Sequence, residues 1–335
     1  YEAYTKKTRY QNKNNEAITV ELNKAHDLMA FSNIDSVWML RQSHYEDQDF
    51  KLIRTRQKAI DDKVFEFEYT LSDKGSTRGI LVKNVLKGGL LYELKTVVDT
   101  LQEPSQFVIN FYDNFVPLDT LIGREMLEDK TTDFFRALRQ KDSIVIKGFQ
   151  YPIFGKEHID SLIHYLTHHK FNNDQKQIES HLITKLGAIE DPRVVDFFKW
   201  HYPRSFKNST AQAKILQAVA EGRNEQSVQL MLDLLAQDLP LAADAKEIDK
   251  IFSPFRDSLL LAKKLFPDLL QFSTIGEYKL PIISMLASLK ATGYVKSGSY
   301  RAHKRLILND ARIQLKRQLG HENSELAINQ NTSHI

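Results

Sequence analysis

A shift of 33 residues in the second half of the chain lays apolar on apolar: Ile178 on Ala211, Leu182 on Ile215, Leu186 on Val219, Val195 on Val228 and Phe198 on Met231. Self-similarity at such a period predicts stacked helix pairs, because one pair buries its apolar stripe only against a neighbouring pair. Each copy has an inner break, Asp191-Pro192 in the first and Gly222-Arg223-Asn224 in the second, where a cap or a chain reversal is expected. Ile159, Leu162, Ile163 and Leu166 predict a preceding helix, and Ile251–Leu270, Pro281–Leu289 and Tyr300–Leu319 predict at least three more. The 33-residue period fades over those last segments.

The first half reads differently. Phe65, Phe67, Tyr69 and Leu71 alternate with Glu66, Glu68 and Thr70, the period of a half-buried strand. Ser72-Asp73-Lys74-Gly75-Ser76 supplies a turn, Arg78–Leu86 a second strand, and Gly88-Gly89 another turn before Leu90, Tyr92, Leu94, Thr96 and Val98 alternate again. A three-strand antiparallel meander is expected. Val108, Phe111, Tyr112 and Phe115 then fall at helical spacing, a helix that Pro117 ends. Before the meander, Leu22, Ala25 and Met29 predict one helix, and Asp35 a cap for another carrying Val37, Trp38 and Leu40. The predicted organisation is a flexible segment over 1–17, an α+β domain over 18–118, a connector over 119–143 with a trace of strand at Ser143–Lys147, an α-helical repeat domain over 144–321 and a disordered tail over 322–335.

A sheet of hairpins finished by a packing helix resembles the PsbP-like α+β fold, over roughly Phe50 to Phe115. The second half resembles HEAT repeats in style, about four helix pairs with irregular ends. Its spacing is shorter than the usual HEAT unit, and it lacks the tetratricopeptide signature residues.

With 335 residues, two domains are the expectation. The net charge of +3 is too balanced to imply nucleic acid, so none is expected as a partner. No apolar run approaches the length of a bilayer span, so a soluble chain is expected, with membrane contact peripheral at most. The chain starts at Tyr1 without a signal-peptide pattern, as a processed protein or a piece of a longer one would. The absence of cysteine excludes disulfides and thiolate chemistry, and fits a reducing cytosol or an envelope protein.

Motifs for acyl transfer, phosphoryl transfer and dinucleotide binding are missing, so neither enzyme activity, a cofactor nor a small-molecule substrate is expected. Gly88-Gly89 stands between strands and reads as a turn, and Asp61-Asp62 and Glu190-Asp191 read as solvated charges. His158, His164, His168, His169 and His181 are the densest ligand-capable cluster, with His164 and His168 one helical turn apart. Tyr165-Leu166-Thr167 lies between them where a zinc-protease helix carries Glu, so no metal is expected. Trp200-His201-Tyr202-Pro203 is either a helix-end core plug or an anchor for a partner, with Trp200 and Tyr202 as the contact residues in the second case. The last helix carries Arg301, Lys304, Arg305, Arg312, Lys316 and Arg317 opposite Leu308, Ala311, Leu315 and Leu319. That face is either the solvated cap of an array or an attachment surface for anionic lipid or nucleic acid, in which Arg301, Arg305 and Arg312 would make the contacts. The Lys6-Lys7-Thr8-Arg9 run reads as a solvated end.

Three stretches, Ile248–Leu270, Glu277–Lys279 and Ala311–Leu319, resemble the C-terminal region of large bacterial envelope proteins that begin with a TraB/GumN-type domain. Phe65–Asp73 followed by Ser76–Arg78 is similar to the same lineage. The Gly-Thr-Ile-His type element of the TraB/GumN domain is absent, so the resemblance carries over no catalytic residue. It implies an accessory part of an exported polypeptide on the periplasmic side of the envelope, or of a larger TraB/GumN-type hydrolase. The leading expectation is a non-catalytic scaffold that binds a protein partner.

Overall fold

The computed structural model describes residues 3–46, 50–61, 63–73, 75–241 and 245–332. The chain divides into two compact units, Tyr1–Phe154 and Gly155–Ile335. No helix among the described residues is long and apolar enough to cross a membrane.

The first unit is built on a six-stranded antiparallel sheet in the order β1-β2-β6-β5-β4-β3. Its strands are β1 (Tyr4–Gln11), β2 (Ala17–Lys24), β3 (Phe50–Ala59), β4 (Val64–Asp73), β5 (Arg78–Lys87) and β6 (Leu90–Asp99). The expected meander is β4-β5-β6, the middle of the sheet. Lys87 pairs with Leu90 across the two-residue loop Gly88-Gly89, and Gly88 has a φ of +60°, as the first position of such a loop requires. Helix α1 (Ile34–Glu46) covers one face, where Val37 and Trp38 meet Phe67, Val82 and Leu86. Helix α2 (Gln106–Asp113) covers the other, where Val108 and Tyr112 meet Ile18 and Leu94. Ser105 caps α2 by accepting from the Val108 N–H. At α1 it is Asn33, not the expected Asp35, whose side chain accepts from the Ser36 N–H.

Residues 1–17, expected flexible, contain β1, and the expected helix at Leu22 is β2. Asn12 Oδ1 accepts from the Asn14 and Glu16 N–H groups, and Asn15 takes a φ of 65°, which reverses the chain between the two strands. Strand β1 is a charged edge strand, ordered by its ladder to β2 and not by an apolar stripe, so no apolar periodicity marks it. The connector over 119–143 carries α3 (Thr131–Gln140), whose Phe134 and Phe135 pack against Phe154. Ser143–Lys147 is helix, not strand: α4 spans Ser143–Gly148. The first unit therefore runs past the expected boundary at 118, and the helical unit begins at Gly155 and not at 144.

The second unit is mostly helical: α5 (Ile159–His168), α6 (Lys176–Gly187), α7 (Pro192–Arg204), α8 (Ser209–Glu221), α9 (Glu225–Gln237), α10 (Ala245–Arg256), α11 (Leu259–Lys264), α12 (Gly276–Ala291) and α13 (Lys304–Thr332). Helices α6, α8, α10 and α12 pack one on the next, and α5, α7, α9 and α11 do so in a second row. Adding 33 to the bounds of α7 gives those of α9, and the start of α6 moves onto that of α8. The buried positions follow: Ile178, Leu182, Ile183 and Leu186 map onto buried Ala211, Ile215, Leu216 and Val219. The caps follow as well, since Asp191 accepts from Arg193 N–H and Asn224 from Ser227 N–H. Helix α5 also starts 33 residues before α7, but its buried Ile159, Leu162 and Leu166 map onto Pro192, Val195 and Lys199, so the apolar match ends there. The tail expected to be disordered continues as α13 to Thr332, and residues 333–335 lie outside the described residues.

Candidate functional site

The two matching helix pairs leave a groove between α7 and α9, floored by the C-terminal end of α8. It has a volume of about 660 Å³. Gly187, in the last turn of α6, lets the floor close, because a Cβ there would stand 2.5 Å from the Ala218 Cβ. Phe198, Ala218, Val219 and Leu230 line the interior, each with less than a tenth of its surface exposed. The rim carries Glu190, Asp191, Asp196 and Asp233 against Lys199 alone, four negative charges and one positive. Asp191 is held by Arg193 through Nε at 3.0 Å, and these hydrogen bonds depress its carboxyl. Glu190, Asp196 and Asp233 form no salt bridge among the described residues. An apolar floor under unanswered carboxylates suits a ligand with apolar side chains flanked by cations.

The first unit has a second groove, of about 340 Å³, over the β3-β4-β5 face. Its charges are largely answered from within. Lys83 Nζ donates to the Tyr112 carbonyl at 2.9 Å and lies 3.0 Å from Glu66 Oε1, and Lys87 donates to the Leu118 carbonyl at 2.7 Å. Burial pushes the Glu68 carboxyl up, against the pull of Lys83 and Arg56. On the opposite face, buried Glu93 accepts from Arg41, Tyr45 and Lys95, the last at 2.6 Å. Burial raises the Glu93 pKa, but the two cations outweigh it and the net shift is downward. Beside this network Trp38 Nε1, Arg41 Nε, the Tyr69 hydroxyl and both polar atoms of Asn84 are buried without hydrogen bonds. Asn84 still opposes the rise that burial gives the Tyr69 hydroxyl, so the two groups are close though not bonded.

Among the residues singled out by sequence, the structure separates Trp200 from Tyr202. Trp200 is 42% exposed on α7, with the Arg204 guanidinium 4.3 Å from its ring centroid. Tyr202 is fully buried and donates to the Asp238 carbonyl at 2.8 Å, so it ties α7 to the end of α9 and cannot touch a partner. Gln212 reinforces that tie, donating to the Tyr202 carbonyl at 3.2 Å and to Asp238 Oδ2 at 2.7 Å. Neither Trp200 nor Tyr202 lines the groove. Arg301, Arg305 and Arg312 are exposed, the last two on α13. His164 and His168 do come together, ring centroids 4.6 Å apart, and no group of three His, Asp or Glu with metal-holding geometry is found among the described residues.

Sequence reading missed the groove residues Asp196, Leu230 and Asp233. Their one sequence signal is position, on the two helices that the 33-residue shift superposes. No protein-family model and no curated protein sequence matches this chain.

Proposed function

We propose that this chain is a non-catalytic binding component whose HEAT-like helix pairs receive a helical segment of a protein partner in the groove between α7 and α9. The observation that carries this reading is the groove's chemistry, an apolar interior beneath three carboxylates, Glu190, Asp196 and Asp233, that form no salt bridge among the described residues. A cationic amphipathic helix meets both demands: its apolar anchors leave water while its Lys and Arg face Glu190, Asp196 and Asp233. Two stacked copies are required to form such a groove, which gives the internal repeat a functional consequence.

The test uses the full chain and two fluorescent helical peptides of equal length, one built from Leu and Lys and the other from Leu and Glu. The Leu/Lys peptide is expected to bind at micromolar concentration and more weakly as salt rises, and the Leu/Glu peptide at least tenfold more weakly. Replacing Asp196 and Asp233 together by Lys should reverse that order. Equal binding of both peptides, or an unchanged preference in the double variant, would remove the groove as the site.

A further inference from the structure

Helix α13 is the counterpart of the groove in the same chain. Leu306, Ile307 and Ile313 of this helix line a shallow hollow together with Ser273, Thr274 and Ile283. Along the helix an apolar stripe is left uncovered: Leu308, Leu315 and Leu319 are about half exposed, at 47%, 57% and 49%. They span about 16 Å along one side of a helix at 1.5 Å per residue. Lys304, Arg305, Arg312 and Lys316 flank the stripe, Arg317 lies on the far side of the helix, and none of the five forms a salt bridge among the described residues. From Lys304 to Gly320 these five cations stand against one anion in sequence, Asp310, a net +4, while Glu190, Asp196 and Asp233 on the groove rim form no salt bridge among the described residues. Among the described residues, the chain thus carries a cationic apolar helix and an anionic apolar groove on different elements, each with charges that form no salt bridge. In the same copy α10 and α11 intervene between α12 and the α8 floor and α9 wall of the groove.

We infer that α13 of one copy docks in the α7/α9 groove of a second copy, a head-to-tail self-association that closes when two copies exchange helices and otherwise extends into chains. Leu308, Leu315 and Leu319 supply the apolar anchors, and Arg305, Arg312 and Lys316, on one side of that stripe, meet the rim carboxylates. The inference rests on the groove reading above and names its occupant.

Sedimentation velocity of the full chain at low salt tests it, with two surface variants. One is Leu315→Glu with Leu319→Glu, which spoils α13 alone; the other is Asp196→Lys with Asp233→Lys, which spoils the groove alone. Wild type is expected to sediment as at least twice 38.8 kDa. Each variant is expected to be monomeric, with association weakened more than tenfold. An equimolar mixture of the two should recover a heterodimer, because the intact α13 of one fits the intact groove of the other. A wild type that stays monomeric at 100-fold the peptide concentration that saturates the groove overturns self-docking and leaves the groove reading standing. A groove variant that stays dimeric while the α13 variant does not would mean that two α13 helices pair with each other, and overturns it too. Wild type that is monomeric but floats with phosphatidylserine vesicles, lost in the α13 variant, assigns the helix to lipid and overturns it equally.

Discussion

Replacing Tyr202 by Phe removes one hydrogen bond and nothing else, the 2.8 Å donation to the Asp238 carbonyl. A net contribution of about 0.5–1.5 kcal/mol is usual for such a bond, and more when the acceptor is stranded away from water. Asp238 is only half-buried, so water can re-satisfy its carbonyl and the expected loss is about 1 kcal/mol. In a unit of this size that lowers Tm by roughly 2–4 °C. Tyr202→Ala also empties a fully buried ring site and should cost about 3–5 kcal/mol. Two positions away, Trp200→Ala forfeits mainly the Arg204 contact, worth about 0.5–1 kcal/mol at an exposed site. Tyr278 donates to the Pro240 carbonyl at 2.8 Å, holding the same segment as Tyr202. Tyr202→Phe and Tyr278→Phe should therefore couple by at least about 0.5 kcal/mol in a double-mutant cycle. Urea denaturation followed by far-ultraviolet circular dichroism reads all of these values. Trp200→Ala costing as much as Tyr202→Ala would refute the assignment of one residue to the surface and the other to the core.

Three other outcomes follow from the buried polar groups. Glu93 has a folded pKa below its ordinary 4.5, so its contribution is present above that value and is lost as pH falls through the lower folded pKa; Glu93→Gln should flatten the acid limb of the first unit's denaturation curve below pH 4.5. His181 is held down at about 4 by burial, with Lys185 adding to the effect, so between pH 6.5 and 4 the unfolded state takes up a proton that the folded state refuses; the second unit should weaken across that window, and His181→Gln should remove the slope. Asn84 is fully buried with neither amide atom hydrogen-bonded, so Asn84→Leu should leave the first unit as stable or raise it by about 1–3 kcal/mol, which thermal denaturation would show.

The sequence was most legible where one face of an element is buried and the other is wet. The alternation from Phe65 to Leu71 located β4, and the apolar stripes of α6 to α9 located the two matching pairs with their caps at Asp191 and Asn224. Strand β1 was illegible because an edge strand of Lys, Thr and Arg buries almost nothing, and its order comes from pairing with a distant run of the chain. The boundary was misplaced because α3 completes the first unit through Phe134, Phe135 and Phe154, a cluster that no periodicity links. Trp200 and Tyr202 are a cluster in sequence only, because residues two apart on a helix differ by about 200° and face opposite ways. The groove was invisible because it depends on how far α7 stands from α9, and that separation is a property of packing and not of either helix.

Hydrogen exchange of the full chain with and without the Leu/Lys peptide tests the central claim most directly. The account predicts added protection confined to residues 192–199 and 224–233, the groove-facing parts of α7 and α9. Protection centred on the six-stranded sheet instead, or an unchanged pattern in those two helices at saturating peptide, would contradict it.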